Sequence, residues 1–270
     1  MVLLGFYEAF AKFLADRWPP DQVALQLMTE PHGKAYGAEF EDWNSIYRQM
    51  LAAVRKHMPE HTIVIPGNRV GSVFGMTAMK PVDDDNVYYS FTTHEPFQFG
   101  MNARFGDYMG AGNHWRDISY MPWPSSAAIV KERMEAMIRD VKPAERTAAE
   151  NDLQAYGNAY YNRQWLNRRA KHIRDWNDAH GGNLKTMVVE FGSLDHIWVR
   201  KFGLSKGVYP EERHLYLHDI RESLEEIGTG WVYWSFNEAC TVLNPFSRLP
   251  YGYTGKGHVE EAMLLALGLR

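Results

Sequence analysis

The sequence predicts an α/β fold, a parallel sheet covered by helices and closed as a (β/α)8 TIM barrel. Three observations carry this reading. Short apolar runs alternate with segments of helical periodicity. The runs are almost continuously apolar, as strands buried on both faces must be. Four of the five runs are followed at once by a carboxylate, His, Asn or Trp, which is where a barrel keeps its chemistry, at the C-terminal ends of its strands. The competing doubly wound sheet lacks its signature, since no G-x-G-x-x-G follows a strand and no G-x-x-x-x-G-K-[ST] occurs.

The elements follow in order. The start, through Trp18, reads as an amphipathic helix with Phe6, Phe10, Phe13 and Leu14 at three- and four-residue spacing, ended by Pro19-Pro20. It has no basic leader and Glu8 interrupts its apolar stretch, so it is expected to be neither a signal peptide nor a membrane span. VALQLM (23–28) is the first strand, running into Thr29-Glu30-Pro31-His32-Gly33. Residues 39–57 form a helix with Trp43, Ile46, Tyr47, Met50, Leu51 and Val54 on one side. HTIVIPG (61–67), NVYYSF (86–91), MVVEFG (187–192) and GWVYWSF (230–236) are the remaining strands. Helices are expected over 124–139, over 145–179 in one or two pieces, over 210–227 with Leu215, Ile220, Leu224 and Ile227 repeating, and over 258–267.

Composition narrows the function. The 270 residues are 45% hydrophobic and 23% charged, enough for one large domain with a real core, so a single domain over 1–270 is expected. The 29 basic and 33 acidic residues are dispersed, with a net charge of −4, so there is no basic face for nucleic acid and no polybasic membrane patch. The one cysteine, Cys240, excludes an internal disulfide and a cysteine-based zinc site and leaves the redox compartment open. Nine Trp and fifteen Tyr are an excess that fits stacking on the C–H faces of sugars, or simply a large core.

Glu30 ends one strand and Glu190 ends another, 160 residues later. Two strand-end carboxylates can converge on one bond. Glycoside hydrolysis with retention needs such a pair, an acid to protonate the leaving oxygen and a carboxylate about 5 Å away to attack the anomeric carbon. On spacing alone, each glutamate could equally be a structural ion-pair partner or a metal ligand. A metal site is the weaker reading, because Glu30 and His32 are two residues apart with no H-x-x-x-H or H-x-H pair beside them. No metal and no cofactor are expected.

Gln26-Leu27-Met28-Thr29-Glu30-Pro31-His32-Gly33 resembles the Asn-Glu-Pro motif at the fourth strand of glycoside hydrolase family 5, the cellulase family. Val188-Val189-Glu190-Phe191-Gly192 resembles that family's seventh-strand Glu-Phe-Gly motif, and Gly230-Trp231-Val232-Tyr233-Trp234-Ser235-Phe236 its eighth-strand segment. Tyr89 to Phe97 is similar to the sixth strand, and Ala266-Leu267-Gly268-Leu269 to a common ending. The resemblance implies Glu30 as acid/base, Glu190 as nucleophile and Trp234 as the aromatic platform under the sugar. It implies a β-linked oligo- or polysaccharide substrate, such as a glucan, cleaved by double displacement, and an extracellular or periplasmic location.

The chain departs from the family pattern at several places. Thr29 stands where the family has the Asn that hydrogen-bonds the sugar 2-hydroxyl, a loss on the order of 10² to 10³ in rate by analogy with an oxyanion-hole donor. On the sixth strand, Thr92 and His94 align with the family's His and Tyr, so His94 would either hold the nucleophile or face substrate. Thr29, His32, Thr92, His94 and Trp234 are the expected substrate-binding set. Some twenty residues precede the first strand, so strands one to three of the resembled barrel are expected to be missing. That leaves about five strand–helix units, with a partner chain or an upstream segment needed to complete the barrel. Residues 95–185 are a long insertion between strands six and seven whose Tyr108, Trp115, Tyr120 and Trp123 would line a cleft wall or form their own core. The alternative function is a catalytically impaired saccharide-binding relic.

Overall fold

The computed structural model describes residues 2–32, 40–195, 207–236, 239–242, 248–249, 252–253 and 259–270. Five strands, β1 (Leu25–Gln26), β2 (Ile63–Pro66), β3 (Val87–Thr93), β4 (Lys185–Phe191) and β5 (Gly230–Tyr233), form one parallel sheet in chain order. The main helices are α1 (Val2–Ala15), α2 (Phe40–Arg55), α3 (Ala127–Met137), α4 (Arg146–Asn158), α5 (Arg163–Ala179), α6 (Pro210–Glu225) and α7 (Glu261–Ala266). All five expected strands are present, and the expected helix over 145–179 is the two pieces α4 and α5. Part of the expected 258–267 helix and Gly33 of the first motif lie outside the described residues. Among the described residues, no helix is long and apolar enough to cross a membrane.

The chain forms two compact units. The first comprises residues 1–93, 171–190 and 227–232 and holds most of the sheet. Its registers are Leu25↔Ile63 between β1 and β2, and Ile63↔Val87 through Pro66↔Ser90 between β2 and β3. Every residue of β2 is buried, because helices cover both faces of a parallel strand. Pro66 is tolerated as the last residue of β2, where its carbonyl accepts from the Trp43 indole at 3.0 Å. Of the α2 face foreseen from spacing, Trp43, Tyr47, Met50, Leu51 and Val54 are all under 9% exposed and Ile46 is half-buried. Each such side chain contributes about 1.5–3 kcal/mol on burial. At the opposite end of the strands, Arg55 donates to Asp84 at 2.7 and 3.0 Å and to the carbonyls of Met58, His61 and Asn86, clamping the starts of β2 and β3.

Helix α1 corrects one expectation. Its buried residues are Tyr7, Ala11 and Leu14, whereas Phe6 is 56% and Phe13 45% exposed. A helix apolar around most of its circumference offers two candidate stripes, and spacing alone cannot say which one is buried. The exposed rings pack along the helix surface instead, Phe6 on Phe10 at 5.6 Å and Phe10 on Phe13 at 6.5 Å, with the Arg17 guanidinium 3.8 Å from the Phe13 ring centre.

The second unit comprises residues 94–170, 191–226 and 233–270 and includes most of the insertion between β3 and β4. Trp115 and Trp123 are core residues of it, 1% and 2% exposed. Their indole N–H groups donate to Asp152 at 3.0 Å and Asp219 at 2.9 Å, which explains how such large amphipathic rings are buried without loss. Tyr120 is half-buried and stacks on Tyr209 at 4.6 Å. The Tyr108 side chain lies outside the described residues.

Candidate active site

In the first unit the site is built on three strand ends. The ladder continues one residue beyond β1, with the Leu27 N–H donating to the Val64 carbonyl at 2.9 Å, and then the chain turns sharply through Met28 (φ 79°) and Glu30 (φ 45°). Two left-handed non-glycine residues so close together are uncommon. They lift Thr29 and His32 into exposure while Glu30 stays half-buried and Pro31 is buried. The Thr92 hydroxyl, at the end of β3, lies 3.1 Å from Glu30 Oε1 and 3.0 Å from the Val70 carbonyl. Thr92 is 8% exposed. Glu190 is the penultimate residue of β4 and is half-buried. Both sequence-predicted carboxylates therefore occupy C-terminal strand ends of one parallel sheet.

In the second unit His94 immediately follows β3 and is 6% exposed. Its Nδ1 is 2.9 Å from the Gly192 carbonyl. A carbonyl can only accept, so Nδ1 carries the proton, and in the neutral ring Nε2 is the acceptor. The ring meets Trp234 edge-on at 5.9 Å. The Trp234 N–H donates to the Phe191 carbonyl at 3.0 Å, the half-buried indole packs on Ala239 and Cys240 with Leu194, Met101 and Ala103, and the Trp234–Ser235 peptide is cis. Gly192 is required here, because a Cβ would stand 2.4 Å from the Trp234 carbonyl.

Arg213 on α6 was not foreseen as part of this region. It is 3% exposed and donates to the carbonyls of Ser193 (3.0 Å), Cys240 (2.8 Å) and Thr241 (2.8 Å) and to the Tyr233 hydroxyl (3.0 Å), with Asp195 at 3.9 Å. It joins the segments that leave β4 and β5 on either side of Trp234. The signal was present in the sequence: Arg213 shares a helix face with Tyr216, Leu217, Ile220 and Leu224, all buried, and a guanidinium among them needs several acceptors. The turn after β2, residues 67–71, was also missed, although Pro66-Gly67-Asn68 marks it. Among the described residues, no three His, Cys, Asp or Glu side chains gather as a metal cradle.

A parallel β/α sheet with carboxylates at two strand ends is the architecture of the barrel hydrolases. The chain belongs to the cellulase family, glycosyl hydrolase family 5, whose model matches residues 5–239. Endoglucanase 3 of Fibrobacter succinogenes is 22% identical over 246 residues, covering 87% of this chain and 34% of that protein. Among solved structures, a hyperthermophilic endo-beta-1,4-glucanase in complex with substrate superposes with a TM-score of 0.66 at 19% identity, over 99% of this chain and 65% of that one. Thermotoga maritima Cel5A in complex with cellobiose gives a TM-score of 0.66 at 15% identity, over 98% and 65%. These likenesses show the fold, with the five parallel strands matching part of a (β/α)8 barrel. The chain spans 34% of the curated relative and 65% of these structures.

Proposed function

We propose that this chain carries the carboxylate pair of a retaining glycoside hydrolase that cleaves β-glycosidic bonds in a glucan or related β-linked saccharide. The observation that carries the proposal is the position of Glu30 and Glu190 after β1 and near the end of β4 of the same parallel sheet. In a flat sheet three strand steps separate them by roughly 14 Å, and only the curl of a barrel brings two such groups toward the ~5 Å that retention needs. Family membership and relatives named as endoglucanases support the β-glucan class.

In this reading Glu190 attacks the anomeric carbon while Glu30 protonates the departing glycosidic oxygen. Glu30, now ionised, takes a proton from water as the water oxygen bonds to the anomeric carbon and the Glu190 ester bond breaks, so the sugar leaves with its configuration retained. Trp234 offers an aromatic face to a sugar ring. Thr29 and His32, exposed on either side of Glu30, bind sugar hydroxyls, and Thr92 and His94 complete the polar set.

Hydrolysis of a soluble β-glucan and of aryl β-cellobiosides, followed by NMR of the first-formed anomer, tests the proposal. Expected are release of the β-anomer and a fall in kcat of roughly 10²-fold or more for Glu30→Gln and Glu190→Gln, the usual worth of a positioned proton donor or more. Inversion would overturn the mechanism. Saccharide binding with no turnover by the wild-type chain would overturn the activity and favour the binding relic.

A further inference from the structure

Three consecutive residues of the turn after β2 are left-handed: Arg69 (φ 54°, ψ 55°), Val70 (φ 59°, ψ 38°) and Gly71 (φ 67°). Glycine accepts this freely, but for a β-branched valine it is a true outlier. Such strain survives only where the surroundings over-determine the backbone. They do so here. A Cβ on Gly75 would lie 1.7 Å from the Asn68 carbonyl and one on Gly67 2.3 Å from the Met76 nitrogen, so the turn rests directly on the backbone of the short helix Val73–Thr77. The Gly67 N–H donates to the Ser90 carbonyl at 2.8 Å, and Asn68, 2% exposed, accepts the Arg69 N–H through Oδ1 at 2.8 Å.

The strained residue is coupled to Glu30 on both of its peptide sides. The Val70 N–H donates to the Pro31 carbonyl at 3.0 Å, one residue after Glu30. The Val70 carbonyl and Glu30 Oε1 share the single proton of the Thr92 hydroxyl, at 3.0 and 3.1 Å. Gly71 backs the same side chain, since a Cβ there would stand 3.0 Å from Thr92 Oγ1.

We propose that the 68–71 turn is a positioning device for Glu30, with Val70 held left-handed so that its N–H fixes the Pro31 carbonyl and its own carbonyl holds the Thr92 hydroxyl beside the carboxylate. The inference rests on the acid/base role proposed for Glu30. Val70 is a positioning residue and needs no contact with substrate.

The test compares Val70→Gly, Val70→Pro, Thr92→Val and Thr92→Ser with the wild-type chain. Two β-cellobiosides are used: one with a dinitrophenolate leaving group, which departs without a proton, and one with an alkyl leaving group, which cannot. Val70→Gly is expected to melt no lower than wild type, because glycine adopts the turn without strain. It keeps both backbone contacts and should stay near wild type on both substrates. Val70→Pro, by contrast, cannot take this φ and loses the N–H that holds the Pro31 carbonyl. Its kcat/KM on the alkyl substrate is expected to fall by roughly tenfold to a hundredfold from misplacement of the acid, while the dinitrophenyl substrate stays within about twofold. Thr92→Val, at a residue proposed to meet substrate, should lower both rates but the alkyl one by about a further tenfold or more, and Thr92→Ser, which keeps the hydroxyl, should stay near wild type. A carbon-13 NMR titration of the Glu30 carboxyl should move upward in Thr92→Val, because the lost donor favoured the ionised form. Equal effects of Val70→Pro or of Thr92→Val on both substrates, or none, would overturn the inference, as would an unmoved Glu30 titration in Thr92→Val. A wild-type chain inactive on both substrates would sink the proposed function, and the Glu30 titration would still decide the coupling.

Discussion

Glu30 and Glu190 could be placed near strand ends from the sequence because each closes an apolar run, while spacing alone left an ion-pair or metal-ligand role open. What surrounds them was not. Thr92 is 62 positions from Glu30, and no local pattern says that its hydroxyl reaches Oε1. His94 was expected beside the nucleophile or the substrate, and the structure shows its Nδ1 on the Gly192 carbonyl. Arg213 is the clearest case of a residue whose worth depends entirely on what it meets. Replacing it with Leu leaves three carbonyls without this donor and the buried Asp195 without its nearest guanidinium. The Cys240 carbonyl keeps the Tyr233 hydroxyl, and removing one partner of a buried charged set costs about 3–5 kcal/mol, so Arg213→Leu is expected to lose about that much in urea unfolding. A loss under about 1 kcal/mol would show that water replaces the guanidinium and that the segments beside Trp234 do not depend on it.

At the level of elements, strands were easier to find than the faces of helices. The periods that define α2 are unambiguous because polar residues fill its other side, and five of its six foreseen residues are buried, with Ile46 half-buried and Ala53 buried beside them. The α1 helix has no such contrast: apolar residues occupy both the stripe through Tyr7, Ala11 and Leu14 and the one through Phe6, Phe10 and Phe13. Strand ends were blurred for a related reason. GWVYWSF reads as strand through Phe236, yet β5 stops at Tyr233. The α1 assignment makes a sharp comparison possible. Leu14→Ala removes a buried side chain and is expected to cost about 2–5 kcal/mol. The double change Phe6→Ser and Phe13→Ser removes rings that are 56% and 45% exposed, and should cost about 1 kcal/mol or less, the worth of their stacking on Phe10. Thermal melts of the two variants check this, and a larger loss from the double change would mean that the aromatic face is covered in solution.

Over the whole molecule, the dependence of stability on pH is set by carboxyls displaced in opposite directions. Burial works to raise Asp84, but the Arg55 hydrogen bonds, the Asn86 N–H and the Arg55 charge outweigh it and hold the group below the usual carboxylate range. A depressed carboxyl stabilises the fold above its unfolded value, and this contribution is lost as pH falls through the folded one. Glu95, paired with Arg169 at 2.9 Å, is the reverse case: burial raises it, and the nearby guanidinium offsets that only in part. Its folded form holds the proton longer, so it costs nothing below the ordinary glutamate value and its cost grows as pH rises through the folded one. Asp84→Asn should therefore destabilise the chain at pH 7, by about 1–3 kcal/mol for the lost charge-assisted bonds, and flatten the acid side of the stability curve. Glu95→Gln should do the opposite on the neutral side, leaving stability at pH 3 unchanged and raising it at pH 7 by about 1 kcal/mol or less, because the half-exposed Arg169 recovers water. Urea unfolding across pH 3–8 separates the two. If Glu95→Gln shifts the curve equally at every pH, the buried carboxyl is not the group responsible. A loss that grows with pH would mean that the Arg169 pair outweighs burial.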